Sequence, residues 1–317
     1  MYLVKSTIQP DYLTQMIGNP EDLPVIKADK NFTANGLGVM DFDPYTSSGH
    51  LQFGATNVFF RECRNFVFDT RDVRGTLYGI HWPSSQATSL QNIVFKLSQR
   101  EEDNHSGVFM EEGSGGFLND LVFYGGNPAA QFGNQQYTMR NLTFNGAKTA
   151  ILQLWNWGWT YKNINVNNCS VGLDMKGPVI GGVTLIDSTF TDTPVGIATG
   201  RSPANQTENP GAGSLIMDNV AFHNVKDAVT GPQGTIIPGN ARGSVLKKGF
   251  AYVSPSPSSV ADRADHHPQG NMYAPTGPTV YQASDDAVFP ASPALMKGDK
   301  VYERSKVSAA PTARGDR

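Results

Sequence analysis

Seven segments of this chain repeat one short pattern: RNFVF (64–68), QNIVF (91–95), NDLVF (119–123), RNLTF (140–144), KNINV (162–166), IDSTF (186–190) and DNVAF (218–222). Taking the Asn or Asp as a marker gives Asn65, Asn92, Asp120, Asn141, Asn163, Asp187 and Asn219, spaced 27, 28, 21, 22, 24 and 32 residues apart. A period in the twenties, with one polar-then-apolar strand per unit, specifies a solenoid whose units bury their apolar faces by stacking. Helical repeats need roughly thirty or more residues per unit, and leucine-rich repeats need a leucine ladder that is missing here. The spacing predicts an all-β chain folded as a single-stranded right-handed parallel β-helix, with its function on the outside of the coil. A β-sandwich of regular short strands is the alternative, and sandwiches do not repeat one motif.

Local chemistry supports the solenoid. Each marker is expected where the chain bends into a new strand, with its Asx side chain capping its own backbone. Stacked coils would place these residues in an Asn/Asp ladder along the axis. The apolar residues after the marker should point alternately, one of them into a narrow core. Gly and Asn punctuate the units at GGN (125–127), NGAK (145–148) and NNCSVG (167–172), and the insertions at 99–106 and 200–212 fall between strands.

At 317 residues, one elongated domain suffices, and 33 Gly and 20 Pro with only 17% charged residues suit turn-rich β-structure. A net charge of −3 without a basic run argues against a nucleic-acid partner and against a strongly anionic polymer. A neutral ligand fits better. Cys63 and Cys169 lie several coils apart, which favours small buried thiols over a disulfide. No stretch is long enough to span a membrane. The opening MYLV has neither the cationic start nor the apolar run of a signal peptide. Sequons begin at Asn31, Asn104, Asn141, Asn168 and Asn205, of which Asn141 is a ladder residue.

The solenoid is assigned to residues 1–250. Beyond it, SPSPSSV (254–260), YAPTGP (273–278) and PASPAL (290–295) read as linker, so 251–317 is an irregular Pro/Ser/Ala-rich tail. The chain opens directly on a strand, YLVKSTI, with no capping element ahead of it. These ends make the chain look like part of something larger.

The segments GIHWPSSQATSLQNIVF (79–95), GVFMEEGSGGFLNDLVFYGG (107–126), FGNQQYTMRNLTFNGAKTAI (132–151) and WNWGWTYKNINVNNCSVGLDM (155–175) resemble the first β-helix of fungal glycoside hydrolase family 55. Those enzymes are exo-acting, inverting β-1,3-glucanases related in fold to pectate lyases. The resemblance implies two β-helices side by side in a secreted intact form, with the active pocket between them and a β-glucan as substrate. YERSK (302–306) resembles the stretch where the second helix would begin, so this chain corresponds to about a third of a family member. It also implies that the general-acid Glu lies on the second helix, while the first supplies side chains that hold sugar and water. Family members carry an aromatic residue where Leu173 stands, a local departure. No cofactor is implied.

Within the matching segments, Gln135, Gln136 and Gln153 are candidate sugar or water ligands, because amides both donate and accept. Asp174, one coil on, is a candidate hydroxyl acceptor. Trp155, Trp157 and Trp159 recur at a spacing of two, so an extended strand puts them on one face. Three indoles are too bulky for a thin core, which favours an outer face, either as a sugar-stacking platform or packed against a neighbouring loop or the second helix; His81 either extends that platform or is structural. Weak catalytic candidates are Glu111 and Glu112, of which at most one faces a given site, and Asp69 and Asp72. Turn and salt-bridge roles compete for all four. Polygalacturonase-type hydrolysis is rejected, since neither NTD nor GHG occurs and Asp285-Asp286 lies in the linker. Calcium-assisted elimination is weak, because the ladder positions are mostly amides. His266-His267 sits in the Pro-rich tail with no metal-spaced partners. GSGG (113–116) lacks the lysine and helix of a phosphate loop and marks a turn.

Overall fold

A computed structural model of the chain describes residues 1–200, 214–253 and 279–282. Asn205, His266, His267, Asp285, Asp286 and the YERSK segment lie outside the described residues. The architecture is the expected right-handed parallel β-helix, whose described residues contain strands and one 3-10 turn, Ala55–Asn57.

Each coil contributes to two parallel sheets. One holds the marker strands: Glu62–Asp69, Ser89–Lys96, Phe117–Tyr124, then the second halves of the long strands Ala130–Asn145 and Thr149–Asn167, then Gly182–Thr191 and Ser214–Gly231. The other runs through Gly38–Asp41, Thr76–His81, Asn104–Met110, the first halves of those two long strands, Val171–Met175 and Val195–Thr199. Where the two sheets meet without a break, a single strand bends around the corner of the coil.

All seven markers have positive φ, between 49° and 64°, so each is a left-handed residue inside a strand. Asn and Asp are the non-glycine residues that tolerate this region best, which is why the repeat is Asx-specific. The marker amides bond along the axis rather than capping their own backbones. Asn92 Nδ2 donates to Asn65 Oδ1 at 2.9 Å, Asn163 to Asn141 at 3.1 Å, and Asn219 to Asp187 at 2.8 Å, while Asn141 donates to Asp120. Asn65 at the first coil donates to the Gly18 carbonyl at 3.0 Å.

The left-handed marker also changes which residues point inward. The residues one and three positions after it are both buried, as with Ile93 and Phe95, Leu121 and Phe123, and Leu142 and Phe144. The third position forms an aromatic stack: Phe68 to Phe95 at 5.7 Å, Phe95 to Phe123 at 4.8 Å and Phe123 to Phe144 at 4.6 Å between centroids. Val166 interrupts it, and Phe190 to Phe222 resumes it at 5.2 Å. Glycine faces the rings from the opposite sheet. A Cβ on Gly107 would come within 2.6 Å of Phe95 and 2.7 Å of Phe123, and one on Gly172 within 2.4 Å of Phe190.

Cys63 and Cys169 are buried free thiols, and burial pushes the Cys63 thiol well above its ordinary value. At the far end the chain reverses between Gly231 and Gly234, and Gly234–Val253 runs antiparallel along Ser214–Gly231. That strand covers the last coil edge within residues 1–250, and Thr279–Gln282 pairs antiparallel to its end. No described helix is long and apolar enough to cross a membrane.

The ladder separates two roles of Asn163. Asn163→Gly keeps the left-handed backbone and loses only the amide bond, whereas Asn163→Ala loses both. Denaturant melts should show the alanine variant less stable by about 1–2 kcal/mol and the glycine variant by about half that.

Candidate functional site

Where Ala130–Asn145 and Thr149–Asn167 turn the corner, their outward residues form one wall of a groove of about 650 Å³. Thr138, Thr160 and Thr184 are in register on successive coils and present a column of hydroxyls. Each stands three residues before its marker, a signal that was present in the sequence. Gln136, Gln86 and Ser114 line the same groove, Gly158 and Gly182 keep its floor low, and none of the described lining side chains carries a charge. Gln136 Nε2 donates to the Ser114 carbonyl at 3.1 Å, which orients the amide across the groove.

Segments 86–88 and 114–117 of the two preceding coils continue the wall, and the second is held by a buried side chain that sequence reading passed over. Asn134 Oδ1 accepts the N–H groups of Gly115 and Gln135, both at 2.8 Å, and its Nδ2 lies within reach of the Ser84 and Glu112 carbonyls at 3.2 and 3.3 Å. The glycines of GSGG are required by close approach. A Cβ on Gly116 would sit 2.1 Å from the Tyr137 hydroxyl, and one on Gly113 1.9 Å from the Ser84 carbonyl.

Behind this wall lies a buried polar cluster. His81 is fully buried, with Nδ1 2.6 Å from Asp41 Oδ1 and Nε2 2.8 Å from Glu111 Oε1. Tyr45 donates to the same Glu111 oxygen at 2.9 Å, and its ring stacks on His81 at 6.0 Å, while Phe109 stacks on the other side at 5.6 Å. Burial alone would lower the His81 pKa, but the hydrogen bonds and charges of Asp41 and Glu111 outweigh it and raise it from 6.5 to about 9. His81 therefore donates to both carboxylates as an imidazolium. Burial also raises the Asp43 carboxyl and, with the Glu111 charge, the Tyr45 hydroxyl. Trp155 joins this cluster, donating its indole N–H to the Glu111 carbonyl at 2.6 Å.

The candidate residues thus divide. Gln136 faces the groove. Trp157 is 67% exposed at the corner, on the coil next to the half-buried Gln135. His81, Glu111 and Trp155 converge in the cluster behind it, so His81 extends no sugar platform. The three tryptophans do not share an outer face, because the strand bends around the corner of the coil. Trp159 is buried and stacked on Tyr137 at 5.1 Å, with only an edge reaching the groove. Gln153 is also in the core, donating to the Phe132 carbonyl at 2.9 Å and accepting from Tyr161 at 2.7 Å.

The remaining carboxylates are engaged elsewhere or face solvent. Asp69 is buried and held by Arg71 at 2.7 and 2.9 Å; burial pushes its carboxyl up, but these bonds outweigh it and hold it below its ordinary value. Asp72 pairs with Lys27 at 2.7 Å, and Asp174 with Lys176 at 3.0 Å on the other sheet. Glu112 is exposed, as expected of the neighbour of an inward-held Glu111.

Residues 1–174 match the sequence model of the family described as rhamnogalacturonase A/epimerase, pectate lyase-like. The chain belongs to this pectate lyase-like family. It is 43% identical over 271 residues to a probable glucan endo-1,3-beta-glucosidase of Arthroderma benhamiae, covering 82% of this chain and 30% of that one. It is 35% identical over 318 residues to a glucan 1,3-beta-glucosidase of Cochliobolus carbonum, covering 96% of this chain and 37% of that one. A Penicillium expansum protein named as a non-secreted LysM effector, LysM15, is 39% identical over 268 residues, 80% of this chain and 18% of its own. The chain therefore spans about a third of the length of the two glucosidases.

The His81 cluster has a pH signature. The folded pKa lies above the unfolded value, so its stabilisation is fully present below about pH 6.5 and is lost as pH rises through about 9. The midpoint of thermal unfolding should fall across that window, and His81→Gln should flatten the fall. An equal slope in the variant would show that the cluster is not its source.

Proposed function

We propose that the groove binds a β-1,3-glucan and forms the sugar- and water-holding half of a glycoside hydrolase site. The supporting observation is a groove whose described side chains are hydroxyls, amides and aromatics without a charge, on the coils that match two proteins named for 1,3-β-glucosidic hydrolysis. Threonine hydroxyls and the Gln86 and Gln136 amides can each donate to and accept from sugar hydroxyls. Trp157 at the rim offers an indole face for an apolar sugar face. Charge neutrality favours glucan over a uronate polymer, which would call for basic residues.

In an inverting hydrolysis, one carboxylic acid protonates the leaving oxygen while a second carboxylate activates water on the opposite face. Among the described residues no carboxylate lines the groove, so these side chains are assigned to positioning sugar and water, and the proton donor to another surface. By the family resemblance, that donor is a glutamate of a second β-helix in an intact, extracellular enzyme. The weak catalytic candidates are accordingly assigned to structural pairs: Glu111 with His81 and Tyr45, Asp69 with Arg71, and Asp72 with Lys27.

Titration calorimetry with laminarin tests the reading. The chain should bind laminarin and not polygalacturonate, and Gln136→Ala and Trp157→Ala should each weaken binding roughly 5- to 10-fold. Asp174→Asn, on another face, should leave it unchanged. Failure to bind laminarin, or preference for the anionic polymer, would overturn the proposal. Any sugar released also reports the mode of cleavage, since glucose marks exo-action and longer oligosaccharides endo-action.

A further inference from the structure

Five sequons occur in the sequence, and the coil treats the four described ones differently. Asn141 lies in the marker ladder, donating to Asp120 and accepting from Asn163. Asn104 pairs with Thr76 on one side and accepts from Asn127 at 2.9 Å on the other, and the hydroxyl of its sequon serine, Ser106, is buried on the Pro128 carbonyl at 2.6 Å. Asn168 occupies a left-handed turn between stacked coils. Its N–H donates to Thr191 at 3.0 Å, and Ser170 donates to Ala147 at 3.2 Å. The Asn104 and Asn141 side chains are thus engaged by adjacent coils, whereas Asn168 and Ser170 are exposed and bonded through their backbones.

Asn31 is different on both sides. The pairing of Val25–Thr33 with Tyr2–Ser6 runs from Val4 opposite Ala28 to Ser6 opposite Thr33, so residues 29–32 bulge opposite Lys5 alone. On the other edge, the pairing with Glu62–Asp69 ends at Lys27 opposite Asp69. The bulge is locked by Asp29 Oδ1, which accepts the Asn31 N–H at 2.9 Å. Asn31 and Thr33 are exposed, and the Asn31 side-chain amide engages no described protein group.

We propose that Asn31 is an N-glycosylation site of this chain, and that Asn104 and Asn141 stay unmodified. The donor is an oligosaccharide linked through diphosphate to a lipid. Asn31 Nδ2 forms a bond to the anomeric carbon as that carbon's bond to the diphosphate oxygen breaks. The lipid diphosphate leaves with the electron pair, and one amide proton is lost. Thr33 supplies the hydroxyl the sequon requires. A bulky polar chain is accommodated here because the bulge projects from the coil with no strand beside it.

The test is to express the full chain behind a cleavable secretory leader in yeast. Both secreted and retained chain are treated with an endoglycosidase that leaves one N-acetylglucosamine per site, and their peptides are mapped. The remnant is expected at Asn31, lost entirely in Asn31→Gln and Thr33→Ala, and kept in Thr33→Ser. A chain bare at Asn31, or one carrying its remnant at Asn104 or Asn141, would overturn the proposal. The outcome is independent of glucan binding.

Discussion

The left-handed Asx residue inside every marker strand is the constraint from which the rest of this coil follows. A positive φ in mid-strand breaks the strict alternation of side chains, so the residues one and three positions later both enter the interior. That doubling lets one short strand supply both an aliphatic wall and a phenylalanine stack. Asn and Asp suit the position twice over, since they tolerate the conformation and their side chains reach the same residue on the adjacent coil. Alanine meets neither demand and glycine meets one.

A core built this way is narrow. The ring column packs directly on glycine backbone, as at Gly107 and Gly172, so neither sheet has room for a larger inward side chain at those points. Polar groups that would be costly in such an interior are displaced to the corner of the coil. There the His81 imidazolium is matched by Asp41 and Glu111, and Asn134 satisfies four backbone groups at once or nearly so. A buried ion group of this kind is tolerated because both ring nitrogens have partners. Its backbone also anchors the site: the Glu111 carbonyl holds Trp155, the Glu112 carbonyl meets Asn134, and the Ser114 carbonyl holds Gln136. One face of the groove is therefore fixed by a cluster that never touches it.

The fold was legible because its signal repeats. Seven markers at a common motif set the register of one sheet, and the same residues appear as its left-handed positions. The site was harder to read, because it depends on where one strand bends. A spacing of two puts Trp155, Trp157 and Trp159 on one face only if the strand is straight, and the bend at the corner separates them: Trp155 bonds the Glu111 carbonyl, Trp157 is exposed and Trp159 is in the core. Gln153 looked like a groove residue for the same reason and is a core hydrogen-bond hub. Asp41 and Tyr45 were invisible because their partner, His81, is a full coil away and no local motif marks the contact. The threonine column was readable in principle, since Thr138, Thr160 and Thr184 each precede a marker by three residues.

The chemistry of the groove limits what it can do alone. Hydroxyls and amides bind a neutral sugar well because each can reverse its donor and acceptor roles, and they leave no unpaired charge when the sugar departs. The same neutrality makes them poor acids and bases. Protonating a glycosidic oxygen calls for a carboxyl held at a raised pKa, yet Asp41 and Glu111 are tied to His81 and Asp69 to Arg71, and Glu112 is exposed rather than buried. Freeing Glu111 would leave an imidazolium half-paired in a buried site, a larger cost than the exposed wall could recover. Under the proposed reading, binding and proton transfer are thus divided between two surfaces. On that reading this one serves the first, its described side chains forming an uncharged cradle that orients sugar and water toward an acid on the other.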